Sequence, residues 1–139
     1  MAQAEEAPVF LAETEGVVVR VKPTFLPQKS DPAANQYFWM YAVEIENRSR
    51  RPVQLLTRYW RITAASGLTQ EVAGDGVVGN QPVIPPGEVH RYASTAPLSA
   101  PSGLMGGSYG MIETETGREF QVTIPTFVLD SPFDRSRAN

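Results

Sequence analysis

Between residues 37 and 46 the chain alternates without a break. Tyr37, Trp39, Tyr41, Val43 and Ile45 fall on one side of an extended backbone, and Phe38, Met40, Ala42, Glu44 and Glu46 on the other. A period of two marks a β-strand with one face in a core, whereas on a helix the same spacing would scatter the large residues around the whole circumference. The alternation returns at residues 17–22, where Val17, Val19 and Val21 oppose Arg20 and Lys22, and at residues 53–64, where Leu56, Trp60 and Ile62 share parity. Faces this apolar must be covered. With no amphipathic helix anywhere in the sequence, only a second sheet can cover them.

Turn chemistry divides the remaining chain into short segments. Residues 47–52, Ser66-Gly67, Pro85-Pro86-Gly87, residues 97–103 and Thr114-Glu115-Thr116-Gly117 are turn signals. They leave strands at residues 68–73, 89–95, 107–113 and 119–124, a short edge strand at 81–84 and a terminal segment at 127–129. Pro23, Pro27 and Pro32 make residues 23–35 a long loop rather than a helix interior or a central strand. The expectation is an all-β fold, an antiparallel two-sheet sandwich of the immunoglobulin or fibronectin type III kind with seven to eight strands. Val19, Trp39, Tyr41, Val43, Leu56, Trp60, Ile62, Tyr109 and Phe120 should share one core, with Trp60 at its centre. Tyr92, after the Pro-Pro-Gly turn, is expected to tie its hydroxyl to nearby backbone, as a tyrosine corner does. The domain should span residues 15–129, between flexible tails at 1–14 and 130–139.

Composition removes most catalytic plans. There is no Cys and one His, His90, so thiolate chemistry and multi-histidine zinc sites are excluded. His90 reads as a surface or half-buried residue. A formal charge of −3 gives no global attraction to nucleic acid or anionic membrane, and neither is expected as a partner. Residues 37–43 are the longest strongly apolar run, far short of the roughly 20 residues of a membrane-spanning helix. Glu5 and Glu6 stand where an export signal would carry Lys or Arg, so a cytoplasmic location is expected.

Four blocks carry a family likeness: Leu55-Leu56-Thr57-Arg58-Tyr59-Trp60-Arg61-Ile62, the stretch from Gly74-Asp75-Gly76-Val77-Val78-Gly79 through Asn80-Gln81-Pro82, Ile84-Pro85-Pro86-Gly87-Glu88, and Pro101-Ser102-Gly103-Leu104-Met105-Gly106-Gly107-Ser108-Tyr109. In this order they resemble the ApaG (CorD) family across residues 15–129. The resemblance implies a fibronectin type III-like sandwich, a domain that serves elsewhere as an interaction module, and a link to cobalt and magnesium handling and to diadenosine polyphosphate metabolism. It implies no catalytic residues.

Three groups of residues are candidate sites. Gly74, Gly76 and Gly79 have the G-x-G-x-x-G spacing that in dinucleotide-binding folds aims a helix N-terminus at a pyrophosphate. Pro82, Pro85 and Pro86 forbid that helix. What remains is a loop needing positive φ, or a nest of backbone N–H groups at Gly74, Asp75, Gly76, Val77, Val78 and Gly79 that would hold a phosphate-containing small molecule. Arg48, Arg50, Arg51, Arg58 and Arg61 form a candidate basic patch, or else a solvated face. Phe38 and Met40 face away from the core, so either residues 23–35 fold back with Phe25 and Leu26 to cover them, or Phe25, Leu26, Phe38 and Met40 form a contact surface. Its occupant would be a protein partner or a second copy of the chain. Glu71, Asp75 and Glu88 flank the glycines but read as isolated surface acids, so no metal site and no cofactor are expected. The expected function is a non-catalytic protein-binding or adaptor domain, with phosphate or nucleotide binding through residues 74–79 as the alternative.

Overall fold

In the computed structural model, which describes residues 8–134, the alternating segments are strands. They are β1 (Phe10–Thr14), β2 (Val17–Phe25), β3 (Tyr37–Asn47), β4 (Val53–Ala64), β5 (Thr69–Asp75), β6 (Val83–Ile84), β7 (Val89–Leu98), β8 (Gly103–Glu113) and β9 (Glu119–Leu129). All pairings are antiparallel. One sheet has the order β1-β2-β3-β7 and the other β5-β4-β8-β9, with β6 also on β4. The apolar faces meet in a single core, as a two-sheet sandwich requires.

The strand count reaches nine among the described residues because β1 lies in the segment expected to be a tail. Glu15 and Gly16, at φ 50° and 84°, turn the chain so that Thr14 pairs with Val17 and Phe10 with Val21. Residues 130–134 are likewise anchored. The Trp39 indole N–H donates to the Asp130 carbonyl at 2.8 Å, buried Ser131 donates to the Pro101 carbonyl at 2.6 Å, and the Phe133 ring lies 6.1 Å from those of Phe25 and Tyr37. Residues 1–7 and 135–139, the outer parts of the expected tails, lie outside the described residues.

Trp60 does occupy the centre, edge-on to Tyr41 at 5.2 Å, Phe127 at 6.0 Å and Tyr109 at 6.5 Å. Leu56 does not join it, and Leu55 is fully buried instead. A β-bulge between Leu55 and Thr57 changes which parity faces the core, so Val53 and Leu55 point inward before it and Arg58, Trp60, Ile62 and Ala64 after it. Phe120 packs on the core only in part.

Pro23, expected in a loop, sits inside β2 opposite Tyr41. Pairing with β1 stops at Val21, so from Pro23 onward β2 is an edge strand on that side, where a missing N–H costs no ladder bond. Only residues 26–36 form the connection, with a 3-10 turn at Pro32–Ala34 and the Ser30 hydroxyl donating to the Leu26 carbonyl while accepting from Phe38 N–H. Buried Asn47 joins two turns. Its Nδ2 donates to the carbonyls of Arg51 and Ile84, both at 2.8 Å, and its Oδ1 accepts from Ser49 N–H and Oγ.

Candidate functional site

The β4 bulge and the glycine loop form one unit. The carbonyl of Leu56, freed from the ladder by the bulge, accepts from Gly76 N–H at 2.8 Å and from the Gln81 side chain at 2.9 Å. Val77 and Asn80 exchange two backbone hydrogen bonds around Val78 and Gly79, which sit at φ 48° and 80°, the positive angles of a type I′ turn. Gly76 and Gly79 have the positive φ, 65° and 80°, of the loop reading, and the N–H groups of Gly76 and Val77 are already donated, so the alternative of an amide nest has neither of these two donors free.

The glycines do other work. A Cβ on Gly76 would stand 2.3 Å from the Asn80 carbonyl oxygen, so the chain can close only over a bare backbone. A Cβ on Gly74 would stand 3.0 Å from both Nη1 and Nη2 of Arg58, its cross-strand neighbour. Gly74 thus leaves room for a guanidinium, whose Nη1 donates to the carbonyls of Asp75 at 2.8 Å and Gly76 at 3.0 Å.

Because the bulge turns Arg58 inward, its head lies at the open mouth between the two sheets. A cleft of about 230 Å³ is lined there by Tyr41, Arg58, Trp60, Tyr92, Ser94 and the turn 77–79. Burial raises the Tyr41 hydroxyl above its ordinary pKa, opposed by its hydrogen bond with Ser94 and by the charge of Arg58. Tyr92 and Tyr109 share a hydrogen bond between hydroxyls, in place of the expected tie from Tyr92 to backbone. Burial pushes both well above the usual tyrosine range. These hydroxyls hold their protons at neutral pH and remain donors.

The five arginines do not form one patch. Arg48 pairs with Glu46 at 3.1 Å and Arg51 with Glu115 at 3.7 Å, both at the β3–β4 turn with exposed Arg50. Arg61 is exposed on the solvent face of β4, ten positions and roughly 30 Å of strand from Arg51. Only Arg58 reaches the cleft. Asp75 has the opposite parity to Gly74, which puts its carboxylate on the other face of β5 from Arg58. Among the described residues Glu71, Asp75 and Glu88 join no group of three that could hold a metal. His90 is half-buried, lies 6.3 Å from the Tyr92 ring, and has its pKa lowered by desolvation.

The apolar set also divides. Phe25 pairs with Trp39, meets its ring at 5.3 Å and belongs to the core side. Leu26 continues the ladder opposite Phe38, so Leu26, Phe38 and Met40 share the solvent face with Ala42, Ala93, Thr95 and Pro97. Phe25 therefore cannot cover Phe38 or join a surface with it. Sequence reasoning missed Tyr41, Ser94 and Tyr92 as cleft residues. Tyr41 is expected in the core, Tyr92 at a tyrosine corner and Ser94 carries no signal, and it is the bulge-inverted Arg58 that brings a charge to their hydroxyls.

The fold and cleft define a small all-β sandwich protein with one arginine-tyrosine cleft between its sheets. The ApaG domain family matches residues 27–113, and the chain belongs to that family. It is 52% identical to the protein ApaG of Rhodospirillum centenum, over 91% of this chain and 96% of that protein. It is 46% identical to the protein ApaG of Methylocella silvestris, over 94% and 100%. A crystal structure from Bordetella pertussis superposes with a TM-score of 0.80 at 40% identity, covering 93% of this chain and 99% of that one.

Proposed function

We propose that this ApaG-family domain is a non-catalytic protein-binding module of the cytoplasm that engages a partner protein through the solvent face of the β1-β2-β3-β7 sheet. The observation that carries this reading is the division of that face. One half is a charge lattice, in which Arg20 pairs with Glu46 at 2.6 Å and Glu44 at 3.7 Å, Arg48 with Glu46, and Arg91 with Glu44 at 2.9 Å. The other half carries Leu26, Phe38 and Met40 among small neighbours, with no charged side chain on β3 until Glu44. A flat apolar area rimmed by fixed charges fits the general plan of a protein interface, apolar at its centre and polar at its edge. The cleft also favours binding over catalysis, since an arginine and neutral tyrosines donate hydrogen bonds and supply no base for proton transfer. No helix among the described residues is long and apolar enough to cross a membrane. In this reading a link to cobalt or magnesium handling runs through the partner.

The test places the photocrosslinker p-benzoylphenylalanine at position 38, and as a control at Gln121 on the exposed side of the other sheet, in intact bacterial cells. A discrete adduct at 38 only, abolished by Met40→Asp, is the expected result. Phe38→Ser should change urea-denaturation stability by less than about 1 kcal/mol. Equal labelling at both positions, no adduct, or an adduct that is a second copy of the chain overturns the proposal. So does a loss near 3 kcal/mol for Phe38→Ser, which would make Phe38 a core residue.

A further inference from the structure

Arg58 stands apart from the other arginines. Arg20, Arg48, Arg51, Arg91 and Arg118 each have a carboxylate within 4 Å. Arg50 and Arg61 are exposed, where water solvates and salt screens their charge. Arg58 is half-buried, points between the sheets and has no carboxylate within 4 Å among the described residues, and its Nη1 reaches only the carbonyl oxygens of Asp75 and Gly76. A partly desolvated cation held against neutral groups is costly unless an anion completes it. Gly74 keeps the position clear for this head, and the bulge at Leu55/Thr57 turns it inward.

Among the described residues the cleft presents hydroxyls and no negative charge around the guanidinium. Tyr41, Ser94 and Tyr92 line it from the opposite sheet, and among the described residues Arg58 is the only formally charged one in the lining. We propose that this cleft is a binding site for a small oxyanion, a carboxylate or phosphate group, held by the Arg58 guanidinium and the hydroxyls of Tyr41, Ser94 and Tyr92. A planar guanidinium with free N–H groups suits two oxygens of one such group at once. At about 230 Å³ the cleft is below the roughly 300–1,000 Å³ of ligand pockets, so it takes the anionic head alone and leaves any nucleoside outside. The G-x-G-x-x-G segment then contributes by seating an arginine, and its own amides play no direct part. This site lies on a different surface from Phe38 and Met40, so it stands or falls independently of the partner-binding reading.

The test is a titration of the 15N-labelled protein with inorganic phosphate, pyrophosphate and acetate, each against chloride at constant ionic strength, with acetamide as the uncharged control. Saturable shifts of the residue 77–80 amides and the Arg58 Nε–H resonance, absent with acetamide, are expected. The phosphate and acetate arms show which head group the cleft prefers. Arg58→Gln should weaken binding at least tenfold and Tyr41→Phe severalfold. Gly74→Ala should weaken it by displacing the arginine while leaving it in the chain. Shifts that are linear in concentration, that persist in Arg58→Gln, or that fall elsewhere overturn the proposal. The wild-type titration alone is decisive should a variant fail to fold.

Discussion

Val78 combines three properties that seldom coincide: a β-branched side chain, φ of 48° and 62% exposure. The left-handed region crowds a branched Cβ, and burial here returns little to offset the strain. Val78→Asn should therefore raise stability by about 1 kcal/mol, read as an increased denaturation midpoint. A decrease would mean that the valine side chain makes contacts worth more than the strain. The sequence displays Val78 openly but not its φ, because the turn type follows from the register that Gly76 and Leu56 set between β5 and β4. Asn47 is a similar case. It reads as an ordinary turn residue, and becomes a buried junction only because the carbonyls of Arg51 and Ile84 converge on it.

A single extra residue in β4 decides more than any other local feature. The bulge moves Leu55 into the core, leaves Leu56 half-buried and points Arg58 inward. Leu55→Ala should accordingly cost about 2–5 kcal/mol, and Leu56→Ala about 1 kcal/mol or less. Equal losses in urea denaturation would show that the bulge is absent in solution. An uninterrupted period of two predicts the reverse order. Strand identity was legible at residues 53–64 because β-branched and aromatic residues fill them, whereas the parity break was not, since a bulge leaves no obligatory residue signature. Pro23 makes the converse point. It is expected to begin a loop, yet β2 runs on through it, which is possible because β1 ends before reaching it and no ladder bond needs the missing N–H.

For the whole molecule, the titrating groups set a stability window. Desolvation lowers the His90 pKa from 6.5, and hydrogen bonds from Arg48 and Arg20 lower Glu46 from 4.5, as those from Arg118 and Thr116 lower Glu113. In each case the unfolded chain binds more protons, so stability falls as pH drops, first below about 6.5 and again below about 4.5. Tyr92 and Tyr109 are raised from 10.0, chiefly by burial, so stability also falls as pH rises past about 10. Denaturation midpoints from pH 3 to 11 should trace this dome, and His90→Gln should remove the decline that begins near pH 6.5. Persistence of that decline in the variant would assign it to another group. The sequence by itself determined the sandwich, its two apolar faces, most of the turns and Trp60 at the centre, because period-two alternation and Gly/Pro chemistry act over a few residues. Only the tertiary structure decided that the expected N-terminal tail supplies β1, that Phe25 and Phe38 lie on opposite faces, that five arginines in one stretch disperse, and that the glycines cradle Arg58. Each depends on cross-strand register, a relation between distant residues that no local pattern records.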